Sequence, residues 1–394
     1  MGAVTRRRLV VGVGAVAGEL ASADADESYL LSLGPHHPSA HGALRLRLTL
    51  DGDRIASCEP EVGFMHRGAE KLFEVRDYRQ ILMLASRHDW VSGYSSELGV
   101  ALVVEQMLGI EVPTRAVWTR TLLAELTRAL AGLAFLGGLP PDLTGDVDAR
   151  PLFATRELLQ DLLEEATGGR VHLMVTRVGG LLEDLPEGWL DRASVAVAAV
   201  RSRVDDTGAA LLADPTLRRR TTGVGVLDRG TALAHGVTGA AARAAGLDLD
   251  LRRDDPYLGY AELAADGVLR VPTRMAGDAY ARLDLLAQQT LVALDLADAC
   301  LGRLRTLPPG PVDVRLPKIL KAPEGAAYGW VESPLGANGY YLVSRGEKTP
   351  WRLKLRTASF GTVSALPAMV VGGTVNELEA VLASMLFVTG DIDR

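Results

Sequence analysis

Cysteine is nearly absent from the 394-residue chain, in which only Cys58 and Cys300 occur. Two cysteines are too few for a disulfide framework or for holding an iron–sulfur cluster unaided, so the sequence predicts a reducing, cytoplasmic environment. The net charge of -7 lacks the basic excess that nucleic-acid binding requires, and we expect no nucleic-acid partner. Glycine and proline interrupt the longest apolar runs at 137–141 and 361–373, so we expect no membrane span, and any membrane association would go through partner proteins.

The N-terminal residues carry two weak and competing signals. Arg6-Arg7-Arg8 followed by an apolar run resembles a twin-arginine export signal, while Gly12, Gly14 and Gly18 form a loose dinucleotide-binding fingerprint. The apolar run has only ten residues, and no clear strand–turn–helix unit with a ribose-binding acid follows. We therefore predict a flexible tail over residues 1–28 and a single domain over residues 29–394.

Three of the seven histidines (His36, His37 and His41) lie within one short turn. Prolines and glycines on both sides exclude a continuous helix there, and the alternating residues 43–50 that follow predict a half-buried strand closed by a hairpin turn at 51–53. Histidines concentrated in a loop usually serve chemistry rather than packing.

The rest of the chain reads as a helical centre between two strand-rich ends. Apolar residues recur at helical spacing in the region from 78 to 109 and in four further segments of the centre. Near both ends of the chain, apolar and polar residues alternate, as they do in strands. We predict helices at 119–135, 151–166, 187–212 and 283–307, strands at 54–62, 339–344 and 351–356, and a closing helix at 375–385. The predicted fold class is α+β, a central helical bundle (64–310) flanked by small antiparallel β hairpins at the N-terminal end (29–63) and the C-terminal end (311–394).

Polar residues at four places are candidates for a site. The i,i+4 spacing of His37 and His41 would suit a metal on a helix, but Pro38 disfavours a helix, so hydrogen bonding to a ligand or proton relay fits better and we assign no metal. Arg87-His88-Asp89 interrupts an apolar region, Asp142 follows a Pro-Pro turn, and His172 follows a glycine turn. A solvated helix edge, a helix cap and a plain loop histidine are the ordinary interpretations of these three. The residues alone do not join them into one site.

The histidine turn lies in a longer motif, Gly34-Pro-His-His-Pro-Ser-Ala-His-Gly-Ala-Leu-Arg45. It is similar to the Gly-Pro-Gln-His-Pro-Ser-Thr-His-Gly-Val-Leu-Arg signature of the D-type subunit of NADH-quinone oxidoreductase, the respiratory complex I family. The likeness continues in order through residues 29–394 and most resembles the shorter second type of actinobacteria. The further matching motifs are Gly63-Phe-Met-His-Arg-Gly-Ala-Glu-Lys71, Glu125-Leu-Thr-Arg128, Arg177-Val-Gly-Gly180, Glu183-Asp-Leu-Pro186, Pro256-Tyr-Leu-Gly-Tyr260 and Gly390-Asp-Ile-Asp-Arg394.

The family is distantly similar to the large subunit of [NiFe]-hydrogenases, which implies a hydrogenase-like fold. Hydrogenases hold their metals with paired cysteines, which this chain lacks. The resemblance instead implies a quinone-reduction chamber beside the terminal iron–sulfur cluster of a partner protein. It implies no cofactor held by this chain, with quinone as substrate, and NAD(H), FMN and iron–sulfur clusters in the partner subunits.

Site roles follow from the resemblance only where residues match. His41 and Asp142 match the catalytic pair, a histidine that hydrogen-bonds the quinone and the acid that pairs with it. Arg87 and His172 match residues near the partner's cluster. The second quinone ligand of the family is a tyrosine, and Trp90 stands in its place, with Tyr94 one turn along.

The resemblance further implies an enzyme that is active only as part of a proton-translocating complex. The partners would be the subunit that carries the terminal cluster and the C-type subunit, and the chain would be a peripheral protein on the cytoplasmic side of the cell membrane. Three departures from the family pattern weigh against coupling to proton pumping, although electron transfer to quinone could survive them. Thr127 and Gly132 replace an asparagine and a histidine, and Leu386-Phe387 replaces an Asp-Pro. Two alternatives therefore stay open, a structural paralogue that assembles without quinone chemistry and a soluble binding protein that serves another oxidoreductase.

Overall fold

The computed structural model describes residues 7–13, 27–31, 33 and 36–394. The N-terminal sheet has the strand order β2-β1-β3-β4, in which β1 pairs parallel to β2 and antiparallel to β3. Its strands are β1 Arg7–Val13, β2 Glu27–Leu31, β3 Leu44–Asp51 and β4 Arg54–Glu61. The alternation predicted for β3 is confirmed, because its four leucines are buried. Gly52 has a φ of 68° at the predicted hairpin turn, a conformation that favours glycine.

The prediction of a flexible tail was wrong for residues 7–13. Leu9 and Val11 are buried, and β1 lies between two other strands, so the apolar run contributes a strand to the core. This strand also removes the basis for a glycine fingerprint, since Gly12 lies within it. Residues 1–6 and 14–26, which include Arg6, Gly14 and Gly18, lie outside the described residues.

The central helices confirm the predicted α+β class and differ from the predicted bounds by a few residues. The helix predicted at 187–212 is divided by a π-helical segment at Val204–Gly208. The α-helices of the described residues up to this point are α1 Ala69–Phe73, α2 Gln80–Ala85, α3 Gly93–Leu108, α4 Thr114–Gly137, α5 Pro141–Thr144, α6 Arg150–Thr167, α7 Trp189–Arg203 and α8 Ala209–Ala213. The short ribbon between α6 and α7 consists of β5 Thr176–Arg177 and β6 Gly180–Leu181.

Short helices precede one long helix, which crosses the centre of the molecule. These are α9 Pro215–Thr221, α10 Arg229–Ala234, α11 Gly239–Ala244, α12 Leu251–Asp254, α13 Tyr260–Ala265 and α14 Ala279–Thr306. Helix α14 packs along α4, and they approach so closely at Gly132 that a Cβ there would lie 2.0 Å from Oγ1 of Thr290. By length and composition α14 is the one described helix that could cross a membrane, yet 67% of its most apolar window is buried in this core.

The C-terminal end has a three-stranded sheet where a hairpin was predicted. Its strands are β7 Gly325–Ser333, β8 Gly336–Ser344 and β9 Arg352–Arg356, all antiparallel and in that order. The chain ends in four further helices, α15 Ala358–Ser364, α16 Leu366–Val370, α17 Leu378–Ser384 and α18 Thr389–Asp393. One-turn 3-10 helices lie at Pro38–Ala40 and Val375–Glu377. The last residues return to the N-terminal histidine turn and pack against it.

Candidate functional site

The histidine-bearing turn is fixed to the C-terminal part of the chain. Nε2 of His37 lies 3.1 Å from the carbonyl oxygen of Ala383, and Nδ1 accepts from the amide of Ser39. The hydroxyl of Ser39 donates to the carbonyl of Phe387 at 3.0 Å. Burial lowers the pKa of His37 to about 4, so this imidazole is neutral near pH 7. His37 is therefore a structural residue that holds the turn.

His41, at the other end of the turn, is exposed and makes no side-chain hydrogen bond within the described part of the chain. Its ring meets the indole of Trp90 edge to face, with the ring centroids 5.6 Å apart and the planes at 83°. Gly42 follows with a φ of 140°, and a Cβ there would lie 2.5 Å from Cβ of Thr389. The backbone at Gly42 thus fits closely against α18 and sets the position of His41.

His41 and Trp90 open onto a cavity of about 240 Å³. Three of its walls come from the segment 65–72, the break between α2 and α3, and the start of α18. Its apolar lining includes Leu72, Leu84 and Val388, and its polar lining includes Arg67, Arg87, His88 and Arg394. The structure therefore brings His41, Arg87 and Trp90 to one cavity.

The C-terminus closes one side of this cavity. The carboxylate of Asp393 accepts from the amides of Gly63 and Met65 at 2.7 and 2.8 Å. Arg394 Nε lies 3.3 Å from Oε1 of Glu70. These contacts hold the segment that begins at Gly63 against α18.

Trp90 and Tyr94 differ sharply in what they offer the cavity. Trp90 is half-buried, and its indole Nε1 is buried without a hydrogen-bond partner among the described residues. Tyr94 is fully buried in the core, and its hydroxyl points to the carbonyl of Arg120 at 3.4 Å. Tyr94 does not line the cavity, so it does not replace the tyrosine that Trp90 displaces.

His172 lies close to Arg87, on the α3 side of the cavity. Burial lowers the pKa of His172, and the charge of Arg87 lowers it further. Arg87 itself is exposed and donates to Oγ of Ser86 at 2.7 Å, and its Nη2 lies 2.9 Å from Sδ of Met174. Arg87 and His172 thus form a small polar pair next to the cavity.

Asp142 lies apart from His41. It is exposed at the start of α5, where its carbonyl accepts from Arg220 Nη1 at 2.7 Å. Arg220 also pairs with Glu379 at 3.1 Å, and burial raises the pKa of Glu379, with the nearby charge of Asp142 adding to the rise. No hydrogen bond or ion pair joins Asp142 to His41 within the described residues, so the implied pair is not formed in this structure. Asp142 as a catalytic residue stays a prediction.

No group of three or more His, Cys, Asp or Glu side chains within 7–13, 27–31, 33 and 36–394 is arranged to hold a metal ion. His37 and His41 illustrate the reason. His37 turns inward to Ala383, while His41 faces the cavity.

Known proteins match nearly the whole chain. The family described as "Respiratory-chain NADH dehydrogenase, 49 Kd subunit" matches residues 149–321 and 316–394. A protein of Streptomyces coelicolor, named as the first D-type subunit of NADH-quinone oxidoreductase, is 60% identical over 93% of this chain and 95% of its own length. The second D-type subunit of Salinispora tropica is 55% identical over 98% of this chain and 97% of its own length, and the D-type subunit of Clostridium beijerinckii is 36% identical over 93% and 98%. The chain belongs to the family of D-type subunits of NADH-quinone oxidoreductase.

Two of the departures from the family pattern lie in the packed core. Gly132 is required by its contact with Thr290, and Leu386 is buried beside it on the wall of the same small void. Thr127 turns its hydroxyl to the helix carbonyls of Leu123 and Ala124, both at 2.9 Å. These positions therefore stabilise the helix packing and present no polar group to the cavity.

Sequence reasoning missed one carboxylate near the cavity. Asp391 is fully buried, and its Oδ1 lies 3.5 Å from Nε2 of His88. His88 and Asp89 were visible as polar residues in an apolar region, but Asp391 lies near the other end of the chain. Only its place in the matching C-terminal motif pointed to it.

Proposed function

We propose that this chain forms a wall of the quinone-reduction chamber of a proton-translocating NADH-quinone oxidoreductase, with His41 as the hydrogen-bond donor to the quinone headgroup. The proposal rests on the observation that His41 and Trp90 line the same cavity. A quinone is a flat apolar ring with two carbonyl oxygens, and it needs apolar walls with a few donors. Leu72, Leu84 and Val388 supply the walls.

The two candidate donors have different capacities. An imidazole can donate a hydrogen bond and also release a proton near neutral pH, whereas an indole N–H only donates. His41 would therefore both bind the headgroup and supply a proton, while Trp90 would only bind it. Nε1 of Trp90 has no hydrogen-bond partner among the described residues, and a quinone oxygen would satisfy this donor once the indole turns it toward the cavity.

Electrons would enter from a partner, because the chain has too few cysteines to hold a cluster. We place the partner's terminal iron–sulfur cluster beside Arg87 and His172, where a guanidinium charge favours the reduced cluster. NAD(H), FMN and the other clusters would lie in further subunits, and the C-type subunit would be a neighbour. Two electrons from that cluster and two protons convert quinone to quinol. The chain would sit at the cytoplasmic face of the membrane and be active only in the complex.

The test compares two histidine variants in the complex purified in mild detergent. His41→Ala should reduce NADH-dependent quinone reduction strongly, while electron transfer from NADH to a soluble acceptor stays unchanged. His235→Gln is the control, because His235 is exposed and, among the described residues, its side chain is hydrogen-bonded only to Oγ of Ser364 at 3.3 Å. Equal quinone reduction by His41→Ala and by the wild type would refute the role of His41.

A structural paralogue without quinone chemistry is the second candidate function. The observation in its favour is the isolation of Asp142 from His41, together with a tryptophan where the family has tyrosine. For this candidate, His41→Ala would leave quinone reduction unchanged while the chain still co-purifies with iron–sulfur partners. The same purification therefore separates the two functions.

A further inference from the structure

Six buried side chains form a polar cluster directly behind the cavity: His88, Asp89, Ser96, Asn338, Tyr340 and Asp391. They come from the α2–α3 break, α3, β8 and α18. Nε2 of His88 lies 3.5 Å from Oδ1 of Asp391. The charges of Asp89 and Asp391 both act on Tyr340, and Asp391 acts on Asp89. The six side chains are thus one electrostatic unit, here called the buried polar cluster.

Ser96 and Asn338 are hydrogen-bonded to Tyr340, so these three side chains partner one another. Nδ1 of His88 and Oδ2 of Asp89 are buried without a hydrogen-bond partner among the described residues, and Oδ1 of Asp391 has only the contact with His88. An unsatisfied buried polar atom costs about 1–3 kcal/mol, so the atoms of this part of the cluster call for an explanation such as proton transfer.

The two carboxylates of the cluster already use one oxygen each. Oδ1 of Asp89 accepts from the amides of Val91 and Ser92, both at 3.0 Å, at the start of α3. Oδ2 of Asp391 accepts from the amide of Ser359 at 2.9 Å. Of the remaining oxygens, Oδ1 of Asp391 faces Nε2 of His88 at 3.5 Å, and Oδ2 of Asp89 is buried. The charge of Asp391 acts on Asp89, and two carboxylates that interact in a dry site oppose the ionisation of both, which favours a pair that holds one proton.

The charge balance around the pair sets how firmly this proton is held. Burial raises the pKa of Asp89 to about 7, and the charge of Asp391 contributes to the rise. The titratable and charged groups that face the pair from the surrounding elements are Arg87 and His88 from the α2–α3 break, Tyr340 from β8 and Arg356 from β9, with His41 and Arg394 across the cavity. The proton can therefore exchange in the physiological range.

His88 links the cluster to the cavity. It borders the cavity on one side and faces Asp391 on the other. Gly390 packs against its backbone so closely that a Cβ there would lie 2.4 Å from the His88 carbonyl oxygen. An imidazole can accept a proton on one nitrogen and release one from the other, so His88 suits a relay between the two places.

We propose that Asp89 and Asp391 share one exchangeable proton and that His88 relays it to the cavity, which supplies one of the two protons of quinone reduction. The proton leaves His88 for a quinone oxygen, and His88 regains a proton from the carboxylic acid of the pair. The pair, left as two carboxylates, then takes a proton from solvent. The two electrons come from the partner's iron–sulfur cluster, so this inference rests on the proposed function.

The test uses the purified complex and steady-state quinone reduction from mildly acidic to alkaline pH. His88→Gln should lower kcat on the order of 100-fold, as loss of a positioned proton donor does, with KM for quinone unchanged. Asp391→Asn should move the alkaline fall of activity to lower pH, because the Asp391 charge helps Asp89 to keep the proton. Asp391→Glu should restore the wild-type profile, and His235→Gln should leave it unchanged.

Infrared spectroscopy gives a measurement that is independent of turnover. A protonated buried carboxyl has its own C=O band, which is lost at alkaline pH and therefore appears in the acid-minus-alkaline difference spectrum. Because Glu97 is also a buried acid with a raised pKa, the spectra are recorded in the Glu97→Gln background, where the band of the pair should be present and should be missing after Asp89→Asn. If Asp391→Asn does not assemble, this band decides: its loss in Asp89→Asn supports the proposal and its persistence refutes it.

The outcomes also separate this inference from the proposed function. If His41→Ala loses quinone reduction while the cluster variants keep the wild-type kcat and pH profile, the relay is refuted and the quinone site stands. If His41→Ala is fully active, the proposed function itself fails.

Discussion

Neutralising Glu125 should destabilise the chain more than most single substitutions, because Glu125 lies in a buried, charge-balanced network. The network contains three arginines and three acids: Arg128, Arg243, Arg252, Glu125, Asp250 and Glu332. All six are buried, so water cannot replace a lost partner. Glu125 accepts from Nε of Arg128 at 3.2 Å, from Nη1 of Arg252 at 3.0 Å and from the hydroxyl of Tyr260 at 2.5 Å.

The size of the effect follows from the charges that remain. Glu125→Gln keeps the shape of the side chain but leaves three buried cations with two anions. Breaking a buried ion pair by removing one partner costs about 3–5 kcal/mol. With roughly 2.1 cal/mol/K per residue, 394 residues give an unfolding entropy of about 0.8 kcal/mol/K, so Tm should fall by about 4–6 °C.

The assay is thermal unfolding of the purified chain, followed by circular dichroism. Glu165→Gln is the control, because Glu165 pairs with Arg192 at the surface and such pairs contribute less than about 1 kcal/mol. The double variant Glu125→Gln/Arg252→Met restores neutrality, so its loss should be smaller than the sum of the two single losses by about 2 kcal/mol. If the stability losses of the two single variants simply add in the double variant, the charges of the network are not coupled. A Tm for Glu125→Gln equal to that of the control would likewise contradict the prediction.

Three further outcomes are expected. Gly42→Ala should lower both Tm and quinone reduction, because the new Cβ would lie 2.5 Å from Cβ of Thr389 and displace the turn that carries the cavity histidine; a crystal structure or activity equal to the wild type would contradict this. Trp90→Phe should raise KM for quinone by about fivefold with little change in kcat, since it removes one hydrogen-bond donor of about 1 kcal/mol and keeps an aromatic ring. Burial raises the pKa of Glu97 from 4.5 to about 7, so between pH 4.5 and pH 7 the folded chain binds one more proton than the unfolded chain. The free energy of unfolding should therefore fall by about 3 kcal/mol as pH rises through this range. Urea unfolding at several pH values should show that Glu97→Gln loses this pH dependence.

The sequence predicted the elements whose pattern is regular. The strands after the histidine turn alternate, and the helices around α4 and α14 repeat their apolar residues at helical spacing, so both were found. Strand β7 was missed because Gly325–Ser333 contains small residues where alternation was sought. Gly329 lies beside α3, where a Cβ would be in ordinary van der Waals contact with Val103, 3.4 Å from its Cβ. This packing therefore does not explain the glycine, and the small residues simply leave no apolar alternation to detect.

The sequence predicted those residues of the candidate site that lie in, or next to, a motif that matches the family. His41, Arg87 and Trp90 meet because the turn and the α2–α3 break face one another, and the family motifs mark both. No hydrogen bond or ion pair joins Asp142 to His41 among the described residues, and the backbone carbonyl of Asp142 accepts from Arg220 instead. Asp391 could not be found from local sequence, because its contact with His88 depends on the C-terminus returning to the N-terminal turn.

The resemblance implies a quinone-binding histidine with an acid partner and a tyrosine beside it, both able to exchange protons. In this chain Trp90 stands in place of the tyrosine, and Asp142 is exposed and has no hydrogen bond or ion pair with His41 within the described residues. His88 borders the same cavity, and Asp89 and Asp391 lie buried behind it. Asp391 belongs to the C-terminal motif that matches the family, so this acid is not a replacement for Asp142.

If electrons reach the cavity as proposed, charge must be compensated there, and the proposed proton donors are His41 in front and the buried polar cluster behind. Asp89 and Asp391 also have a structural use, because each accepts hydrogen bonds from backbone amides. That use needs only one oxygen of each acid and does not require His88 between Asp391 and the cavity. The position of His88 is thus the strongest structural argument for proton transfer to the cavity.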